Sequence, residues 1–187
     1  MPHTPYPPSA KAALVLDAQA IERALKRISH EIIERNPETG NLSVVGIPLR
    51  GVEIAKRIIE YIGQIENVAL DLGIIDVSMH RDDIRLRKSL SPVEVSLLPL
   101  DLEGRTIILV DDVAYTGRTC RAAIDAILDF GRPARIQYAV LIDRGHRELP
   151  IRADYVGKNL PTARPERVFV RFEKVDGVPD SVWVERV

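Results

Sequence analysis

The sequence predicts an α/β protein built on a mostly parallel sheet, with helices on both faces and a small hood subdomain. Apolar runs with strand character, 43–47, 68–77, 106–109 and 136–142, alternate with stretches of helical spacing. Two of these runs end in a glycine-containing turn that opens a helix, at Pro48-Leu49-Arg50-Gly51 and at Thr116-Gly117-Arg118-Thr119. The chain of 187 residues is long enough for one domain of ordinary size, with or without an appendage, and too short for two large ones.

The elements follow in order. Residues 1–11 form a proline-rich tail, expected to be disordered, and 12–187 the folded domain. Ala12 to Leu16 suits a short strand, and Asp17 caps a helix running from about Ala18 to Asn36. Ile21, Leu25, Ile28 and Ile32 line one face of that helix, while Arg23, Lys26, Arg27 and His30 fall on the opposite face. Asn36-Pro37-Glu38-Thr39-Gly40 ends it. Strand 43–47, the turn 48–51 and a helix with Val52, Ala55, Ile58, Ile59 and Ile62 inward make a β-turn-α unit. After strand 68–77, the stretch from about 79 to 99 is charged and lacks a period, as a long flexible loop does; it carries Arg81, Arg85 and Lys88. A second strand-turn-helix unit spans Thr106 to Leu128, Gly131-Arg132-Pro133 closes it, and 136–142 is the next strand. Residues 143–165 are polar and irregular, which predicts the hood at one edge. Runs 168–172 and 181–185 pair as terminal strands.

Bulk properties exclude several function classes. The chain has 26 basic and 27 acidic side chains and a formal charge of −1, so no global field draws it to nucleic acid or membrane. Any nucleic-acid contact must come from a local patch. The single cysteine, Cys120, cannot form an internal disulfide and suits packing, which points to a reducing compartment. No apolar signal core and no stretch of membrane-spanning length is present, so the expected location is the cytoplasm.

The chemistry concentrates in the second strand-turn-helix unit. Asp111 and Asp112 sit at a strand's carboxyl end, and the next turn opens a helix whose first N–H groups lack intrahelical partners. Gly117 permits the tight backbone of a phosphate cradle. Carboxylates accept hydrogen bonds from vicinal hydroxyls, so the arrangement suits a ribose 5-phosphate. Taken alone, an Asp-Asp pair is as readily a plain loop, and Arg50 a surface arginine.

The string Val110-Asp111-Asp112-Val113-Ala114-Tyr115-Thr116-Gly117-Arg118-Thr119 resembles the 5-phosphoribosyl-1-pyrophosphate (PRPP) signature of type I phosphoribosyltransferases. The resemblance implies that fold, with PRPP or its product held by Asp111 to Thr119 and pyrophosphate by Leu49, Arg50 and Gly51. It implies Mg²⁺ delivered with PRPP, because the chain offers no dedicated metal cage. A lid carrying Arg81 would close over the departing pyrophosphate, making Arg81, Asp111 and Asp112 the catalytic set. Purine enzymes of this type commonly carry an acid immediately before Thr-Gly. Tyr115 stands there instead, which favours uracil.

Three longer stretches, 20–36, 108–119 and 141–159, together resemble the bacterial pyrimidine-operon attenuation proteins that are also uracil phosphoribosyltransferases. The match runs from about Ala13 to the end. It implies uracil, PRPP, UMP and UTP as ligands, with backbone near Val156 reading uracil under the hood. It further implies pyrimidine-operon leader mRNA as partner, a dimer or tetramer, and an RNA face of Arg23, Lys26, Arg27, His30, His146, Arg147, Arg152 and Lys158. Arg27 lies opposite the apolar stripe, so its loss is expected to spare the enzyme. The chain departs from the pattern in two places: Leu49 replaces a hydroxyl in the pyrophosphate turn, and His80 stands where an aromatic residue often precedes Arg81. Two rivals remain open, a phosphoribosyltransferase for another base without RNA binding and a catalytically weak nucleotide-sensing regulator.

Overall fold

A computed structural model describes residue 9 and residues 11–77 and 102–186. Its centre is a parallel five-stranded sheet with strands β2 (Leu42–Gly46), β3 (Asp71–Ile74), β4 (Thr106–Ala114), β5 (Arg135–Asp143) and β6 (Tyr155–Asn159) in the order β3-β2-β4-β5-β6. Strand side chains alternate between faces, and the two cores follow that alternation. Val44, Ile108, Val110, Ala139 and Leu141 pack with α1 (Ala18–Arg35) and α2 (Arg50–Glu66). Val45, Ile107, Leu109, Tyr138 and Val140 pack with α3 (Arg118–Leu128). By the same alternation, Asp111 belongs to the α3 face and Asp112 to the α2 face.

A second, antiparallel sheet joins β1 (Ala13–Leu16), β8 (Ser181–Arg186) and β7 (Glu166–Arg171) in the order β1-β8-β7, so the expected terminal pairing forms and gains the first strand. The short helix α4 (Glu173–Asp176) turns the chain between β7 and β8. Helix α1 begins as expected: Asp17 Oδ1 accepts from Ala20 N–H at 2.7 Å, and Ile21, Leu25, Ile28 and Ile32 are fully buried.

Three expectations change. The stretch 143–165 is not irregular throughout, because Tyr155–Asn159 is the fifth strand of the main sheet, registered Ala139↔Tyr155 through Asp143↔Asn159. Its exposed tail, Lys158 and Asn159, hides the strand signal in the sequence, while Tyr155 is fully buried. The strand expected over 68–77 is regular only over Asp71–Ile74. The inner face of α2 uses Ile54 in place of the expected Val52, and it also buries Glu53.

Candidate active site

Strand β4 continues past the apolar run and carries both acids within it, so sheet hydrogen bonding fixes their backbone. Asp111 is 7% exposed. Its Oδ1 accepts from Asp112 N–H at 2.9 Å, and the hydroxyl of buried Tyr138, on the neighbouring strand β5, donates to Oδ2 at 3.4 Å. Burial first, and the charge of Asp112 second, push the Asp111 carboxyl well above the usual carboxylate range. Asp112 is only half-buried. Desolvation raises its carboxyl too, but Arg50 pulls against that rise. The two acids therefore differ in kind: Asp111 is buried on the α3 side with its carboxyl raised furthest, and Asp112 is half-buried on the α2 side, where Arg50 opposes the rise.

The turn after β4 is clamped from behind. Thr116 O accepts from the N–H groups of Glu148 and Leu149 at 3.0 and 3.2 Å, and Arg118 pairs with Glu148 at 3.0 Å. Gly117 adopts φ +89°, a left-handed conformation that favours glycine, and a Cβ there would meet the Cβ atoms of Leu149 and Ile151 at 3.4 Å. Helix α3 starts at Arg118 with no side-chain cap, and its first α-helical bond runs from Arg121 N–H to Gly117 O. The helix thus begins as an anion site does, with its dipole's positive end at the turn. Thr116 Oγ1 accepts from Arg118 N–H at 3.4 Å, and Thr119 is half-buried in the first turn. Val113 and Ala114 are half-buried rungs of β4 that link the acids to the turn.

The second turn abuts the acids directly. A Cβ on Gly51 would lie 2.5 Å from Val110 O and 3.2 Å from Asp111 Cα, so only glycine lets α2 start this close to β4. Arg50 opens α2 and forms a bidentate pair with Asp176. Leu49 is 52% exposed and supplies no cap to the helix.

Tyr115 is packed from the loop after β5. The Arg144 guanidinium lies 4.2 Å from its ring centroid, and the His146 ring meets it edge-on at 5.8 Å. Arg144 is itself buried, held by Thr162 Oγ1 at 3.1 Å and Glu166 O at 2.7 Å.

The expected RNA residues form two groups. On α1, Arg23 and His30 are exposed and Lys26 pairs with Glu22 at 2.6 Å. Arg27 pairs with Glu31 and also donates to the carbonyls of Val156 at 3.0 Å and Gly157 at 2.7 Å. Beyond β5, Arg147 is bound to buried Asp143 and to Ile151 O, and His146 Nε2 meets Thr162 O at 2.6 Å. Arg147 and Arg152 line a cleft of about 500 Å³ with Asp143, Arg144, Asn159 and Thr162. Lys158 is exposed on β6. Arg27 thus ties α1 to β6, the strand that carries Lys158, and touches the backbone of Val156, the residue expected to read uracil. Arg81 and the rest of the expected lid lie outside the described residues.

Among the described residues, no three His, Cys, Asp or Glu side chains cluster as a metal site. The phosphoribosyl transferase domain model matches residues 12–171. The chain is 54% identical to the bifunctional protein PyrR of Roseiflexus sp. (strain RS-1) over 172 residues, covering 92% of this chain and 94% of that one. It is 56% identical to the bifunctional protein PyrR of Bacillus cereus (strain B4264) over 166 residues, covering 88% and 92%.

The chain belongs to the PyrR family.

Solved structures share its fold at lower identity. The hypoxanthine-guanine phosphoribosyltransferase of Leishmania tarentolae in complex with GMP superposes with a TM-score of 0.69 at 16% identity, covering 96% of this chain and 99% of that one. The hypoxanthine phosphoribosyltransferase of Trypanosoma cruzi in complex with IMP gives 0.69 at 17%, covering 92% and 89%. These neighbours and the domain match establish a type I phosphoribosyltransferase fold for this PyrR-family chain. Sequence reading missed four residues of this site: Tyr138 under Asp111, Arg144 over Tyr115, Thr162 holding Arg144, and Asp176 on Arg50. Their motifs are single residues in unremarkable surroundings, and only the folded register brings them in.

Proposed function

We propose that the chain is a uracil phosphoribosyltransferase that also binds pyrimidine-operon leader RNA in response to UMP or UTP. The observation that carries the enzyme half is the adjacency of Asp112, the Gly117 turn and Arg50, each at the carboxyl end of a parallel strand or the helix start beside it. In the reaction, N1 of uracil bonds to C1′ of PRPP as the C1′–oxygen bond breaks. N1 loses its proton and magnesium pyrophosphate leaves. The half-buried Asp112 accepts from the ribose hydroxyls, the start of α3 receives the 5′-phosphate, and Arg50 faces the leaving pyrophosphate. The positive charge that develops on the ribose ring in a dissociative transition state is stabilised by a nearby carboxylate. Mg²⁺ enters as part of the substrate. The donors fit this role: Asp112 offers hard oxygen at the site, but no cage surrounds it.

Uracil is proposed to lie between Tyr115 and the edge of β6 near Val156. An acid that would serve a purine is replaced there by a ring held by Arg144 and His146. The RNA half rests on the basic residues of α1 and of 146–158, with Arg27 of α1 contacting β6, the strand that carries Lys158 and is proposed to read the base. Unstacked loop bases would supply RNA specificity and phosphates the affinity. Assembly as a dimer or tetramer and residence in the cytoplasm belong to the same reading. Among the described residues, no helix is long and apolar enough to cross a membrane. Exposed Leu49 favours a second reading, a weak enzyme that mainly senses nucleotides. A base panel tests the choice: with magnesium PRPP and equal uracil, hypoxanthine, guanine and adenine, chromatography should find UMP as the main nucleotide. A purine nucleotide in excess would reject uracil as the base, and no nucleotide at all would favour the sensor.

A further inference from the structure

Arg50 does not stand alone at the start of α2. Its Nε donates to Asp176 Oδ2 at 3.2 Å and its Nη2 to Asp176 Oδ1 at 2.5 Å, the two-pronged geometry that gives guanidinium–carboxylate pairs their directional strength. The partner comes from α4, 126 positions later in the chain. Asp176 is itself fixed: Oδ2 accepts from Phe172 N–H at 2.9 Å, and Oδ1 lies 3.4 Å from Arg171 Nη1. The side chains of Asp176 and Arg171 are 13% and 10% exposed, that of Arg50 28%. The third guanidinium nitrogen, Nη1 of Arg50, makes no hydrogen bond among the described residues, and the charge of Arg50 is close enough to Asp112 to act against the rise of its carboxyl.

We propose that Asp176 is a positioning residue that holds Arg50 by one edge of its guanidinium and so presents the other edge to the pyrophosphate group. This rests on the reading of Arg50 as a pyrophosphate ligand. A bound carboxylate that used all of Arg50 would block the site; one that uses a single edge orients the rest. Burial works against the charge on Asp176, but the bonds from Arg50 and Phe172 N–H more than offset it, holding its carboxyl below the usual range. The pair is not needed to dock the C-terminal segment. Two turns along α2, Arg57 bridges buried Glu53 and Asp180, stacks on Phe172 at 4.8 Å, and Asp180 accepts from Glu173 N–H at 2.9 Å. Asp176→Asn keeps the Phe172 acceptor and should fold, but it turns an amide N–H₂ toward Arg50 Nη2.

The test is calorimetric titration of magnesium pyrophosphate into the full chain saturated with UMP, beside titration of UMP alone, for Asp176→Asn, Arg50→Met and the double variant. Asp176→Asn should weaken pyrophosphate by about tenfold, the scale of one charge-assisted bond, while UMP affinity stays within about twofold. The double variant should be no weaker than Arg50→Met, because Asp176 acts through Arg50. If Arg50→Met weakens pyrophosphate and Asp176→Asn does not, or if the losses add, the positioning role is wrong and the reading of Arg50 stands. Equal losses of UMP and pyrophosphate would make Asp176 a structural staple. An Arg50→Met variant with unchanged pyrophosphate affinity would sink the reading of Arg50 and the proposal with it. Should Asp176→Asn melt early, Asp176→Glu keeps the charge one methylene away, and unchanged pyrophosphate affinity in that variant would also overturn the assignment.

Discussion

Asp111 and Asp112 look equivalent in the sequence, yet their surroundings predict unequal effects on nucleotide binding. Asp111 is buried against Tyr138, whose hydroxyl donates to Oδ2, and accepts from Asp112 N–H through Oδ1, with its carboxyl raised well above the usual range. Asparagine there keeps that acceptor on the buried α3 face, away from half-buried Asp112, so UMP affinity should change by less than about 1 kcal/mol, the net worth of an ordinary hydrogen bond. Asp112 is the half-buried member, with Arg50 favouring its charged form against desolvation. Asp112→Asn gives up a charge-assisted acceptor for the ribose hydroxyls, worth about 1.5–3 kcal/mol, or roughly ten- to a hundredfold in affinity. Calorimetric titration of UMP into each folded single variant, with thermal melts to confirm folding, separates the two. Equal losses in both variants, or a larger loss in Asp111→Asn, would refute the division of labour between the acids.

Three further outcomes are expected. Gly51→Ala places a methyl 2.5 Å from Val110 O, so denaturant unfolding should show a loss of about 1–3 kcal/mol and PRPP should bind more weakly. Arg27→Ala should reduce uracil turnover as well as leader-RNA binding in gel shifts, because Arg27 holds the Val156 and Gly157 carbonyls; RNA loss with wild-type uracil kinetics would restore its independence from the base site. For pH, Asp111 has its folded-state value raised above the ordinary 3.8, so its contribution to stability is complete below that value and is lost as pH climbs through the raised one. Thermal midpoints of Asp111→Asn relative to the parent chain should therefore rise as pH increases from about 4, and a constant difference would contradict a buried neutral Asp111.

The two strand-turn-helix units were legible because each combines an uninterrupted apolar run with a glycine at the turn, and backbone constraints at Gly51 and Gly117 are local. The α1 stripe was equally plain, since four isoleucine and leucine positions repeat at helical spacing. Strand β6 was not legible: only Tyr155 and Val156 are strongly apolar, and its place at the sheet edge comes from pairing with β5. Tyr138 and Asp176 escaped for a related reason. Each acts on a residue 27 or 126 positions away, and no local pattern encodes such a distance. The alternation of β4 was readable in principle, but the contrast between Asp111 and Asp112 needed Tyr138 below one and Arg50 beside the other.

The central claim is that this PyrR-family chain transfers a phosphoribosyl group to uracil at the site of Asp112, Gly117 and Arg50. Radiolabelled uracil incubated with magnesium PRPP and the purified chain measures it directly. The account predicts labelled UMP, with one pyrophosphate released per UMP and a rate sharply reduced by Asp112→Asn. Folded protein that binds UMP yet forms no labelled UMP above the protein-free control would contradict it.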